Sequence, residues 1–125
     1  MIGDPDLPHT FTDVTDMGRT LAAVAFEPST WGQVWHAASS APSTQRAALN
    51  GALEAIGASP VPVHGIPVPV VRATGLVVPM MRELGELGYI FTRPYVMNSS
   101  RTQAVLGLAP SAWEDTLRRT GEGNR

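Results

Sequence analysis

The chain contains neither cysteine nor lysine among its 125 residues. The absence of cysteine excludes disulfide bonds and thiolate catalysis, and it is typical of a cytoplasmic protein. The absence of lysine excludes every site that needs a lysine ammonium or a Schiff base.

An excess of charge of one sign and a long apolar run are also missing. The formal net charge is −2 and the charges are scattered along the chain. This pattern offers no basic face for nucleic acid and no polybasic membrane anchor. The most apolar segment, residues 66–81, contains Arg72 and three prolines. It falls short of the roughly 18 to 20 uninterrupted apolar residues of a membrane span. We therefore expect neither nucleic acid nor a membrane as a partner.

Length and apolar content predict a single domain, or a fragment of a larger one, over residues 1–125. Hydrophobic residues make up 43% of the chain, which is ordinary for a folded domain. The pattern indicates an α/β or α+β fold with short strands and about five helices. We expect strands over residues 10–14 and 32–37, an edge strand or an extended arm over 61–64, and a short extended piece over 95–98. Helices are expected over 16–27, 44–56, 67–78, 99–106 and from 111 onward, and Pro79 either kinks the helix that begins at residue 67 or restarts it as a second helix to about residue 91.

Several helices carry recognisable start and stop signals. Asp16 is placed to cap the first helix, whose inner face we expect to be Met17, Leu21, Val24 and Ala25. Leu49, Ala52, Leu53 and Ile56 form the expected inner face of the second helix, which Gly57 ends. Ser99 is expected to cap the fifth helix and Gly107 to stop it. Ser111 and Glu114 have the spacing of a capping box for the last helix.

A series of short motifs runs through nearly the whole chain in a fixed order. It begins with an aromatic-x-x-Val-x-Asp run at Phe11, Val14 and Asp16, and continues with Trp31-Gly32-Gln33-Val34-Trp35-His36, Ser43-Thr44-Gln45, Arg93-Pro94-Tyr95-Val96-Met97-Asn98-Ser99-Ser100-Arg101 and Leu106-Gly107-Leu108. The series resembles the C-terminal, substrate-binding portion of the NAD-dependent epimerase/dehydratase family, the extended short-chain dehydrogenase/reductases. In that family the aromatic run leaves the nucleotide-binding sheet beside the substrate pocket.

The resemblance implies a partial Rossmann-type domain that lacks the N-terminal dinucleotide-binding half. The family as a whole uses NAD(P), which a glycine-rich turn holds at a helix N-terminus. This chain has no such turn after a strand, and without lysine it cannot carry the family's catalytic Tyr-x-x-x-Lys pair. We therefore expect the chain alone to bind no cofactor and to catalyse no reaction. A truncated gene, a split enzyme and an expressed fragment all remain open.

The resemblance also implies a small-molecule substrate, such as a nucleotide sugar. His9 stands where many family members have an arginine that contacts the substrate diphosphate; the alternative is an exposed turn residue. Arg93 follows the aromatic pair Tyr89 and Phe91. Its guanidinium, held near these apolar rings, could bind an anion through two parallel hydrogen bonds. The alternative is a surface arginine whose stem lies across a ring. With Phe11, these residues form the expected substrate-binding site.

Other chemistry is weakly supported. The three histidines, His9, His36 and His64, contain no i, i+4 pair, so we expect no metal site. Asp13 and Asp16 are better explained as turn and cap residues than as an acid/base pair. A non-enzymatic binding or assembly module is the alternative function. The expected strand at residues 32–37 would leave uncovered edges, so we predict self-association or the need for a missing N-terminal half.

Overall fold

The computed structural model describes residues 1–123, and helices dominate them. The helices are α1 (Val14–Phe26), α2 (Gln45–Ala55), α3 (Val68–Thr74), α4 (Pro79–Glu86), α5 (Ser100–Leu106) and α6 (Trp113–Glu122), with 3₁₀ segments at Pro28–Thr30 and Leu87–Phe91. The strands are β1 (Pro8–His9) and β2 (Ser43–Thr44). The described part of the chain is therefore a mixture of helix and strand, as the sequence predicts.

A two-stranded antiparallel sheet and one neighbouring parallel bridge join three distant segments. In the sheet, Pro8 pairs with Thr44 and His9 pairs with Ser43. His9 also forms a parallel bridge with Tyr95, whose backbone N–H donates to the carbonyl of Pro8 at 2.9 Å. These contacts place the segment after β1 between α2 and the chain that leads into α5.

The predicted strands over residues 10–14 and 32–37 are wrong, and residues 61–64 form no edge strand. Residues 10–13 are extended but join no ladder beyond isolated backbone contacts, and residues 32–37 and 61–64 also lie outside the sheet. A strand is stable only when neighbours satisfy its backbone groups. Val34 is exposed instead of being covered on both sides, so self-association through strand edges at residues 32–37 loses its basis.

Helix α1 begins earlier than the sequence indicates. Asp13 is its N-cap, and its Oδ1 accepts a hydrogen bond from the backbone N–H of Thr15 at 2.8 Å. The prediction that Asp16 caps the helix is wrong. Asp16 lies in the first turn and is buried, with 2% of its surface exposed. The earlier start arises because Asp13 supplies the same capping oxygen three residues before Asp16.

The buried face of α1 is also different from the predicted one. Asp16 and Thr20 are buried, whereas Met17 and Leu21 are exposed, Leu21 by 66%. Polar partners hold the buried face in place: the hydroxyl of Thr20 donates to the carbonyl of Asp16 at 2.8 Å and accepts from the backbone N–H of Ala38 at 3.1 Å. Val24 is half-buried and Ala25 is exposed. The apolar stripe of α1 therefore faces outward.

Helix α2 follows its prediction closely and packs against α6. The hydroxyl of Thr44 caps it by accepting from the N–H of Ala47 at 3.1 Å, and Gly57 ends it with a φ of +74°. Ala52 is buried at the contact with α6, where Gly121 lets the backbones approach. The other expected inner residues of α2 are half-buried: Leu49, Leu53 and Ile56.

The last two helices are present. Ser99 is the N-cap residue of α5, as predicted, whereas the capping box predicted for α6 is wrong. The hydroxyl of Ser99 makes no capping hydrogen bond to the backbone of α5; it bonds the backbone of Ser39 and the side chain of Gln103. The N-cap of α6 is Ala112, and the capping box is not formed. Ser111 instead donates from its N–H and its hydroxyl to the carboxylate of Asp16, at 2.6 and 3.0 Å. The hydroxyls of Ser99 and Ser111 therefore make tertiary hydrogen bonds and do not cap the backbone N–H groups of α5 and α6.

The apolar segment 66–81 contributes to two short helices, so Pro79 begins a second helix and does not merely kink the first. Helix α3 ends at Thr74, α4 begins at Pro79, and the two pack together with Gly85 close to the side chain of Arg72. No helix within residues 1–123 is long and apolar enough to cross a membrane. The buried apolar core consists of small side chains: Ala38, Ala52, Val63, Val68 and Val71.

Candidate functional site

An apolar groove between α2 and α6 is the candidate site. Its volume is about 570 Å³, which lies within the roughly 300 to 1,000 Å³ of small-molecule sites. Helices α2 and α6 supply most of the walls, and the segment after β1 closes one side. The large apolar side chains that line the groove are Phe11, Leu49, Leu53, Ile56, Trp113 and Leu117.

Two aromatic rings meet at one side of the groove. Phe11 follows β1, and Trp113 is the first residue of α6. Their ring centroids lie 5.9 Å apart with an interplanar angle of 38°, which is within the range of favourable aromatic pairs. Both residues are half-buried. The pair therefore offers an aromatic wall on which a planar group can stack.

The apolar groove opens into a polar mouth. Thr12, Thr116 and Thr120 line both the groove and an adjoining cavity of about 300 Å³. That second cavity also includes Asp13 and Arg119. A molecule lying across both cavities would meet apolar walls at one end, and hydroxyl and charged groups at the other.

Asp13 is the ionised centre of this mouth. Its Oδ2 accepts a hydrogen bond from the hydroxyl of Thr116 at 2.9 Å and another from Arg119. The Arg119 guanidinium, helped by hydrogen bonds from Thr15 and Thr116, holds the pKa of Asp13 well below its usual range. Asp13 is therefore a carboxylate at neutral pH and is unsuited to act as a general acid.

Replacing Asp13 with asparagine tests this electrostatic role. The folded-state pKa lies below that of the unfolded chain, about 3.9, so the carboxylate stabilises the fold above that pH. The stabilisation disappears as the pH falls through the folded-state pKa. We expect Asp13→Asn to cost about 1 kcal/mol of unfolding free energy at pH 7 and less at pH 2.5, measured by urea unfolding. Asparagine keeps the N-cap, and a cost that does not change with pH would contradict the role.

His9 is buried and does not occupy an exposed turn. Only 7% of its surface is exposed. Its Nδ1 lies 3.0 Å from the carbonyl oxygen of Leu7, and its Nε2 lies 2.9 Å from that of Ile90. Both ring nitrogens thus face backbone acceptors within the protein. A hydrogen bond from His9 to a substrate would require the loss of one of these contacts.

The other expected site residues lie in two places. Phe11 lies in the groove, with its ring centroid 6.5 Å from that of His9. Tyr89 and Arg93 are exposed at the surface. Phe91 is half-buried, and its carbonyl accepts from the N–H of Asp4 at 3.1 Å. The buried His9 lies between the groove and the 3₁₀ segment Leu87–Phe91. One side of its ring faces Phe11, and its Nε2 faces the carbonyl oxygen of Ile90 in that segment.

Arg93 carries an uncommitted positive charge. Across the described residues it makes no hydrogen bond or ion pair, and no ring contact joins it to Tyr89 or Phe91. Arg93 is exposed, as the alternative of a surface arginine predicts. Within residues 1–123 the guanidinium that lies over an aromatic ring is that of Arg101, over Trp35. The guanidinium of Arg93 is accessible to an anion from solvent.

The sequence interpretation missed the α2–α6 groove and the Asp13–Arg119 pair. A signal for the groove was present, because Trp113, Leu117 and Gly121 recur at the four-residue spacing of one helix face. The ion pair left no local signal, since its two members are 106 positions apart.

The arrangement is suited to binding, with an apolar chamber, an aromatic wall and a charged mouth. Within residues 1–123, no three His, Asp or Glu side chains cluster in a way that could hold a metal ion. Comparison of this chain with models of known protein families, with curated proteins and with solved structures finds no match.

Proposed function

We propose that this chain is the substrate-binding part of an NAD(P)-dependent sugar-nucleotide epimerase/dehydratase, with the α2–α6 groove as its binding site. The observation that carries the proposal is the position of Phe11. The resemblance places this aromatic residue beside the substrate pocket, and it lies in the groove against Trp113. In this proposal the fold is a partial Rossmann-type domain in the cytoplasm, and a further half of the enzyme supplies the nucleotide-binding sheet.

The groove and its mouth match the parts of a nucleotide sugar. A base can stack on the Phe11–Trp113 wall, since aromatic stacking is tolerant of base identity. The hydroxyls of Thr12 and Thr116 can bind sugar hydroxyls. Arg119 is 45% exposed and uses only part of its five-donor fork on Asp13, so it can also contact a phosphate.

The proposal assigns no catalysis to this chain alone. A tyrosine base of the short-chain dehydrogenase type needs a lysine beside it, and the sequence has none. Both tyrosines of the chain, Tyr89 and Tyr95, are exposed and lie outside the groove. The hydride chemistry and the NAD(P) therefore belong to the other half of the proposed enzyme.

Replacing Phe11 with alanine tests the groove directly. We expect the chain to bind members of a nucleotide-sugar panel in calorimetric titration. Phe11→Ala should weaken the tightest of these by about 5- to 150-fold, because one base-stacking contact is worth about 1 to 3 kcal/mol. The matched control is Phe26→Ala, which removes the same side chain from an exposed position of α1 outside the groove. NAD(H) in the same titration should give no binding.

Arg93→Ala in the same titration shows whether the bound molecule reaches the Tyr89–Phe91 segment. Loss of a charge-assisted hydrogen bond of about 1.5 kcal/mol should weaken binding by roughly tenfold. Arg118→Ala is the control for bulk charge, since Arg118 is exposed and paired with Asp115. If no nucleotide sugar binds at millimolar concentration, or if Phe11→Ala binds as the parent does, the proposed function is wrong.

The second candidate function is a non-enzymatic binding or assembly module. The exposed apolar stripe of α1 favours it, because an uncovered apolar helix face is typical of a subunit interface. The gene context distinguishes the two functions. An adjoining reading frame with GxxGxxG and Tyr-x-x-x-Lys supports the enzyme, whereas association without nucleotide-sugar binding supports the module.

A further inference from the structure

We propose that two copies of this chain associate through the outward face of α1. The face is named here the α1 stripe and consists of Val14, Met17, Leu21 and Ala25, all of which are exposed. At 100° per residue these positions fall within one narrow sector of the helix. No residue of the α1 stripe lines the α2–α6 groove, and only Val14 lines the adjoining mouth.

The interior of the protein holds the α1 stripe in the exposed position. Asp16 accepts two hydrogen bonds from Ser111, and Thr20 accepts one from the backbone of Ala38. Burying Leu21 by rotating α1 about its axis would break these buried contacts. The exposure is therefore a property of the folded chain and is not relieved by a small adjustment.

The α1 stripe suits a second copy because the helix is almost free of charge. Asp16 and Arg19 are its only charged residues, and they pair with each other at 3.0 Å. From Thr20 to Phe26 there is no charged side chain. Two such faces can meet about a two-fold axis without like-charge repulsion, as an isologous interface requires. The same lack of charge disfavours an ionic partner such as nucleic acid.

A hollow beside the α1 stripe gives the second copy a place to insert apolar groups. Its volume is about 370 Å³, and its apolar walls include Met17, Leu21, Val24 and Trp35. Val34 stands exposed at the adjacent segment. Alternating projections and hollows on one face are what a self-complementary surface needs.

The accessible surface area of the chain is larger than that expected for a folded monomer of its mass, which favours an interface that is uncovered in the single chain. A folded monomer of this mass, 13.3 kDa, is expected to expose roughly 6,450 Å², whereas this chain exposes 7983 Å². The excess of about 1,500 Å² exceeds the roughly 800 Å² that each partner buries in an interface of standard size. One interface of standard size would therefore cover about half of this excess.

Sedimentation of the whole chain between 1 and 100 μM tests the association. The parent should be dimeric at the upper concentrations, and Leu21→Glu should raise the dimer dissociation constant at least a hundredfold with unchanged helical circular dichroism. The matched control is Leu76→Glu, because Leu76 is 89% exposed and lies between α3 and α4. A parent that is monomeric at 100 μM overturns the proposal, as does an equal effect of the two substitutions.

A single introduced cysteine tests the two-fold geometry, since the chain has no cysteine of its own. With a mild oxidant, Leu21→Cys should form a covalent dimer and Leu76→Cys should remain monomeric under denaturing conditions. If the parent dimerises and Leu21→Cys does not cross-link, the interface lies elsewhere and the α1 stripe is not its centre. If both cysteine variants cross-link equally, the contact is random collision and the proposal is also wrong.

Discussion

Replacing Asp16 with alanine is expected to destabilise the fold by about 2 to 4 kcal/mol. Asp16 is buried in α1 and accepts from the N–H and the hydroxyl of Ser111 and from Arg19. Removing the carboxylate loses these charge-assisted hydrogen bonds and leaves polar groups of Ser111 without their acceptor. It also detaches the start of α6 from α1. Urea unfolding at one protein concentration, followed by circular dichroism, measures the loss.

Two further variants define the cause of this loss. Asp16→Asn keeps one acceptor oxygen but removes the charge, so it should recover only part of the unfolding free energy. Asp115→Ala removes an exposed carboxylate that pairs with Arg118, and it should cost less than about 1 kcal/mol. Equal costs for Asp16→Ala and Asp115→Ala would mean that the buried carboxylate does not join α1 to α6.

Gly121→Ala is expected to be the second most damaging change, at about 1 to 3 kcal/mol. A Cβ at Gly121 would lie 2.6 Å from the carbonyl oxygen of Ala52 and 2.6 Å from Cγ2 of Ile56. A backbone oxygen inside α2 cannot move aside, so α6 must shift away from α2. The cost should outweigh the gain of up to about 1 kcal/mol in helix propensity. Because Gly121 also lines the α2–α6 groove, the groove should change shape.

Gly51→Ala is the matched control for this prediction, because Gly51 lies in α2 at the same helix contact. Its added Cβ would lie 2.8 Å from Cδ1 of Leu117, the end of a flexible side chain that can turn away. We expect an unfolding free energy within about 1 kcal/mol of the parent. If Gly121→Ala is instead as stable as Gly51→Ala, close backbone approach does not limit the packing of α2 on α6.

Local signals in the sequence predicted the helices well. Thr44 caps α2, and Gly57 and Gly107 end α2 and α5 in the left-handed conformation. These features depend on residues a few positions apart, so their energetics are contained in the local sequence. Helix α6 was also predicted, but it forms without the capping box that indicated it.

Predictions that depended on distant partners were less successful. A strand needs neighbouring strands to satisfy its backbone hydrogen bonds. The apolar pattern of residues 32–37 could not show that no other strand pairs with this segment. Periodicity shows which face of a helix is apolar but not which face is covered. In α1 the covered face is the polar one. Ser111, which is 95 positions away in the sequence, donates a hydrogen bond to the carboxylate of Asp16 on this face.

For the candidate site, the sequence by itself determined the kinds of chemistry that the chain can offer. Without cysteine or lysine it has no thiolate and no lysine ammonium, and its motif order pointed to Phe11 as a residue beside a pocket. Only the tertiary structure brought Phe11 into a groove beside Trp113, since the two residues come from opposite ends of the chain. It also buried His9, left Arg93 exposed, and turned the apolar stripe of α1 outward. The physical reason is that residue type sets the available charges and hydrogen bonds, whereas burial and pairing depend on contacts between segments far apart in sequence.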